Sequence, residues 1–493
     1  MSRLKRRMLR VVALVLVALL LLGTLVSVIF SHAHAEEASR DSYVIEAVFL
    51  EDAQALRISQ RLVYTNRTGS LLDRVEFSLY GNMFRRQSAL MYEADAYSLA
   101  FADGFAPGSM EFARVLVDGQ PADWGMLGEN EMLMRVACDL QPGQCCTFTF
   151  EYTLLLSQNG AFLGMNEVDW RLRGFYAQAL RWEDGEFVST LPIQHANYIY
   201  AQRADYVFTV TLPERYALAG SGEVSSTDNQ DGTRAWTLRA SGVRELCVNL
   251  GMRWREHEAV SALGTGVRLL CNLRGAEGIL QNAVRTLDLY EAWFGALNRD
   301  VTLVQSGYAL GALSLEGVIW LDQDALSDEM QLRRALAKQF FGYGAYAMPT
   351  QDAWLSDALC EYVAYLALEE DEGREAFLQA LNRELTPTVQ FTLPGGLDVT
   401  TDATLFTAAE YDTVVCKRGA LVLNELRSAM GLENLLAALG AFYRYGLQCD
   451  VVGEYDFVDA LDAVDGGDWE AFLTDWLYNI ADYYQQGFFD WLD

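Results

Sequence analysis

A single change of period divides this chain. Between 41 and 256 apolar and polar residues alternate in short runs, as in SYVIEAVFL, ALRISQRLVYTN, CTFTFEYTLLL and DYVFTVTLP. Alternation sets successive side chains on opposite faces of an extended backbone, so these runs predict half-buried strands. Asn-Arg-Thr-Gly, Asp-Gly and Gly-Ser-Gly punctuate them as turns. Past 259 a strand-like VRLLCNL precedes a helical GILQNAVRTLDLYEAWFG, and VTLVQSGYALGALSLEGVIWLD reads as a strand, a loop and another strand. From 327 onward the apolar residues recur at helical spacing, predicting helices over 328–345, 352–369, 371–384, 407–430, 432–445, 454–464 and 468–480. Ser327 and Thr350 stand as candidate caps. The expected fold class is α+β in two domains. An all-β sandwich-like domain over 41–256 precedes a mixed domain over 259–493 that ends in a helical bundle.

The stretch 331–366, QLRRALAKQFFGYGAYAMPTQDAWLSDALCEYVAYL, concentrates the chemistry. Its two helical segments are strongly apolar, yet the first carries Arg334 and Lys338 one turn apart, and the second sets Asp357, Cys360 and Glu361 along one face. Carboxylates in apolar surroundings are costly unless paired with cations, so Asp357 and Glu361 would need counter-charges if buried. Cys360 and Cys416 are expected to be core or cleft-lining thiols, because no histidine base accompanies them.

Composition narrows the functional classes. The formal charge of −30 argues against a nucleic-acid partner. Eight cysteines show no CxxC pair; Cys138 and Cys145 flank a turn and could bridge, but buried free thiols are the expected state. Residues 2–10 hold five basic side chains and 11–30 hold no charge. Such a run is long enough to span a bilayer, and Ala33-His34-Ala35 resembles a cleavage site. Residues 1–35 therefore read as a transmembrane anchor or a signal peptide. The expected location is the cell membrane, single-pass with the bulk of the chain extracytoplasmic, or secreted if cleaved after Ala35. Beyond 35 only His195 and His257 remain, and both are expected at the surface.

At the level of motifs the chain resembles the gluzincin aminopeptidases of the membrane alanyl aminopeptidase type, whose catalytic domain is thermolysin-like. LAKQFFG resembles the end of that family's HExxHQWFG, AWLSDALCEYVAYL its WLnEGlAeYvayl, and YDTVVCKRGALVLNELRSAMG its vYxKG segment. RLVYTNRTGSLLDRVEFSLYGNMF and ADYVFTVTLPERYALAGSGE are similar to strands of its N-terminal β domain. The resemblance implies a zinc peptidase, but the chemical positions differ. Arg334 and Lys338 stand where the two zinc-binding histidines belong, and Ala335 stands where the general base belongs. Asp357, nineteen residues after Lys338, replaces the third ligand, a glutamate. The family's geometry would set Arg334 and Lys338 facing Asp357 and Glu361, so the resemblance implies that the two cations pair with these carboxylates in place of the metal. Cys416 replaces the tyrosine that stabilises the oxyanion. Ser314 falls at the amine-binding glutamate of the GxMEN-like segment, although a shifted alignment would place Glu316 there. The expectation is a catalytically inactive, aminopeptidase-like protein without zinc or other cofactor, binding a peptide or protein partner through the former cleft. The alternatives are an active metallopeptidase with a non-standard site and a structural protein with a closed cleft.

Overall fold

The alternating runs become strands because every second side chain finds a buried face. Buried positions recur at every second residue along most of Ala204–Pro213 and Cys145–Leu155. The computed structural model describes residues 40–89, 92–252, 254–391 and 396–486. In it an eight-stranded sheet runs in the order Glu223–Asp228, Thr233–Val243, Ala204–Pro213, Asp41–Leu50, Ala55–Thr65, Cys145–Leu155, Ser109–Val117 and Gln120–Pro121. Asp41–Leu50 pairs parallel with Ala204–Pro213, and this register sets Tyr43 opposite Tyr206 with rings stacked at 4.7 Å. Two four-stranded sheets share its core, where Phe77 meets Phe148 and Phe150 edge-on at 5.1 Å. Asn66, in the sequon Asn66-Arg67-Thr68, is fully buried and spends its amide on the carbonyls of Ser70 and Leu140.

A five-stranded sheet follows, ordered Arg255–Val260, Gly266–Cys271, Val301–Gln305, Val318–Leu321 and Ala312–Leu315. Its inner pairings are parallel and its two outer ones antiparallel. Strand Arg255–Val260 crosses the interval in which the expected boundary lies. The region read as strand, loop and strand contains three strands, because Ala312–Leu315 and Val318–Leu321 form a hairpin closed by Glu316 and Gly317. Gly317 has φ +76°, a left-handed conformation that a two-residue hairpin turn demands and glycine accepts readily.

Against this sheet lies helix Ala276–Phe294, burying Leu280, Ala283, Leu287, Tyr290 and Phe294 at helical spacing. The next helix is Glu329–Lys338. Its cap is Asp328, not Ser327: the Asp328 carboxylate accepts from the N–H groups of Met330 and Gln331. It continues into a wide turn, Gln339–Gly344, where a Cβ on Gly344 would fall 2.4 Å from the Tyr443 ring. Helix Trp354–Glu372 is buried on nearly all sides between Trp354 and Leu368, and Thr350 gives it no side-chain cap. The span 407–430, expected as one helix, is three pieces: Ala408–Tyr411 with a Thr407/Glu410 capping box, a π-helical Asp412–Arg418, and Gly419–Met430.

Several expectations need correction or comment. No helix among the described residues is long and apolar enough to cross a membrane. The uncharged run at 11–30 lies outside the described residues. The transmembrane anchor, the membrane as partner and the single-pass localisation are therefore withdrawn. All eight cysteines are free thiols, Cys138 and Cys145 among them. The aromatic tail at 483–491 lies mostly outside the described residues.

Candidate functional site

Helical periodicity puts Arg334 and Lys338 on one face of Glu329–Lys338, and Asp357 and Glu361 on one face of Trp354–Glu372. The two helices meet along those faces. Lys338 Nζ lies 2.5 Å from Asp357 Oδ1. Arg334 Nε lies 2.6 Å from Glu361 Oε2, and its Nη2 donates to Oε1 at 2.8 Å. The later residue of one helix meets the earlier residue of the other, as antiparallel helices require. Only the Nη2 limb has hydrogen-bond geometry; the Nε contact is an ion pair by proximity. Asp357 and Glu361 are buried, at 9% and 6% exposure, and Arg334 also stands 3.8 Å from Glu384.

A third element closes the site. The Tyr411 hydroxyl donates to Asp357 Oδ2 at 2.6 Å, so both oxygens of Asp357 are engaged. Tyr411 precedes the π-helical Asp412–Arg418, and Cys416 within that turn reaches the same cavity. Wide helical turns are common at functional sites because they re-aim side chains. The sequence reading missed Tyr411; no periodicity distinguishes a π turn, so only its place five residues before Cys416 could have drawn notice.

Above the two ion pairs is a cavity of about 450 Å³. Ala335, Cys360 and Ser314 line it, and so does His195. The last corrects the expectation of a surface histidine: its Nε2 lies 2.9 Å from the Ala403 carbonyl and its ring 5.0 Å from Tyr411. Ser314 Oγ donates to the Ala335 carbonyl at 2.8 Å and accepts from Gln339 Nε2 at 2.7 Å. Strand Ala312–Leu315 is thereby tied to the helix, with Gln331 accepting from the Ala312 N–H and Tyr343 donating to the Ser314 carbonyl. That strand is a fixed wall of the cavity rather than an open edge. Glu316 does not join the others. It sits in the hairpin turn, fully buried, accepting from the Arg244 N–H at 2.7 Å and pairing with Arg299 at 2.9 Å.

The electrostatics leave no activated group. Burial opposes the charge on Lys338, but Asp357 outweighs it and raises the ammonium above its ordinary value of 10.5. Burial likewise opposes the Arg334 charge, and Glu361 overcomes it. Burial first, then the neighbouring carboxylates, drives the Cys416 thiol well up; burial also raises Cys360 against the pull of Lys338. Both thiols are therefore protonated at neutral pH, the unreactive form. Nor do these donors fit a zinc ion. A protonated ammonium and a guanidinium offer no lone pair, and Asp357 is already spent on Lys338 and Tyr411.

No family model matches the sequence, and no curated protein does. Solved structures do. A variant of the M1 zinc metallopeptidase from Deinococcus radiodurans matches with a TM-score of 0.64 at 18% identity, over 89% of this chain and 94% of that one. A variant bound to a Tyr-Ser-Ala substrate matches at 0.63, with the same identity and coverage. A further structure of the M1 zinc metallopeptidase from that organism matches at 0.61 and 17% identity, over 89% and 93%. The chain is thus a mixed α+β protein with the fold of the M1 zinc metallopeptidases.

Proposed function

We propose that this protein binds peptides, or an extended segment of a protein, in the cavity over the two ion pairs, and does not hydrolyse them. The observation that carries the reading is the two ion pairs, Lys338–Asp357 and Arg334–Glu361, lying beneath a cavity that remains open. Charges brought from the protein itself balance Asp357 and Glu361, so no metal ion is needed to keep these carboxylates buried. Ala335 offers no base and Cys416 no phenol, which removes the groups that would activate water and hold an oxyanion.

The cavity favours binding over a purely structural role. At about 450 Å³ it falls in the range of small-molecule and peptide side-chain sites, and its wall sets apolar Phe162, Leu310 and Leu313 among polar and charged side chains such as Arg173, Gln331 and Asp412. Calorimetry with Tyr-Ser-Ala, the substrate named for the Deinococcus structure, tests the reading. Saturable binding with no cleavage on prolonged incubation is expected, lost in Ala96→Trp, which fills the cavity from its rim. Cleavage of the tripeptide, or binding indifferent to Ala96→Trp, would refute it.

A further inference from the structure

A second concavity, about 1280 Å³ in volume, shares no wall residue with the cleft. It lies where the large sheet meets the five-stranded one. Strands Ala204–Pro213 and Thr233–Val243 form one side, Gly266–Cys271 and Val301–Gln305 the other, and residues 447–450 its end. We infer that this groove is a binding site for a compact multivalent oxyanion, of the phosphate or carboxylate kind.

The argument begins with charge. The chain as a whole has 67 acidic and 37 basic residues, yet six arginines and four carboxylates line this groove, reversing the balance. Three of the four carboxylates are engaged, and the fourth, Glu223, stands opposite Arg239 in the strand register without an ion pair to it. Asp205 receives the Ser241 hydroxyl and the Gly242 N–H and pairs with Arg40; Asp300 receives the Gly266 N–H; Asp450 pairs with Arg181. Arg239, by contrast, is exposed on the wall with no partner among the described residues.

Beneath the wall the excess continues inward. Arg203, Arg244 and Arg299 converge on the single carboxylate of Glu316, through 3.8 Å and 2.9 Å ion pairs from Arg203 and Arg299 and the backbone N–H of Arg244. Among the described residues, Arg203 Nη2 on the wall and Nε and Nη1 of Arg244 behind it are buried N–H donors with no acceptor, while Arg244 Nη2 donates to the Asp450 carbonyl. Burial, then the charge of Arg203, brings Arg244 down to about 10. Buried donors without acceptors and cations without counter-charges are both costly, and an anion in the groove relieves both. Guanidinium forks match the paired oxygens of phosphate and carboxylate, which a simple halide does not offer. The net charge of −30 repels anions at long range, but at physiological salt that field is screened beyond about 8 Å, so the local arginines decide.

The test is calorimetric titration of the full chain with inorganic pyrophosphate and with citrate, at physiological ionic strength set by sodium chloride. One saturable site is expected for at least one of them. The tighter ligand then assigns the source, phosphate or polycarboxylate. Arg239→Gln alters a side chain that holds nothing in the fold, and Arg268→Gln one with only outer contacts to Glu256 and Thr302. Each should weaken binding by about tenfold, with tripeptide binding in the cleft unchanged. Heats reproduced by sodium chloride alone, or binding of full strength in both variants, would overturn the proposal.

Discussion

The floor of the cleft and the arginine groove handle buried charge in opposite ways. In the cleft each cation has its own carboxylate, Lys338 with Asp357 and Arg334 with Glu361, and Tyr411 occupies the remaining oxygen of Asp357. At the groove Arg203 and Arg299 share the one carboxylate of Glu316, and Arg203 and the neighbouring Arg244 leave donors unmet among the described residues. A closed set of partners makes the cleft floor self-sufficient and leaves recognition to the cavity above. An open set makes the groove dependent on something from outside.

Breaking the closed set should have the largest effect. Glu361→Ala strands the Arg334 guanidinium, and Asp357→Ala strands the Lys338 ammonium. Each should cost about 3 kcal/mol in urea denaturation, the scale of a mostly buried pair losing one member. Removing both charges together, as Lys338→Met with Asp357→Asn, keeps an acceptor for Tyr411 and should recover most of that loss. A double variant as unstable as Asp357→Ala would show that the pair itself is not what matters. Next in size is Tyr411→Phe, which removes one buried bond to a carboxylate and should cost about 1.5 kcal/mol in the same measurement.

The pH dependence of stability sharpens the same contrast. The folded state holds the Lys338 proton more tightly than the unfolded chain does. The contribution of the Lys338–Asp357 pair is thus complete below 10.5, the ordinary lysine value, and disappears as pH climbs through the raised folded value. Lys338→Met should flatten that alkaline fall in Tm. Persistence of the full fall in the variant would assign it to other groups. The smallest effect concerns the thiols: Cys145 is exposed and should react promptly with a thiol reagent, whereas Cys360 should react only as the protein opens.

Much of the architecture was legible because it rests on periodicity. The strands around Ala204–Pro213 and Cys145–Leu155 and the helices carrying Arg334, Lys338, Asp357 and Glu361 follow from the spacing of apolar residues. What escaped depends on contacts between distant segments. His195 reaches the cleft wall through Ala403, more than two hundred residues away. Tyr411 is aimed at Asp357 from the start of a π turn that no local pattern announces. Glu316 shows the converse. A shifted alignment made it a candidate for the cleft, but a two-residue hairpin turn at Gly317 carries it to the arginines of the groove. The register of 301–321, with its hidden third strand, decides that placement.

The central claim is that Lys338 and Arg334 balance the carboxylates of the cleft floor, which takes no metal. Elemental analysis of the purified chain after incubation with zinc, alongside an aminoacyl-substrate assay, measures it most directly. The account predicts no stoichiometric zinc and no turnover. One zinc per chain together with hydrolysis of the substrate would contradict it.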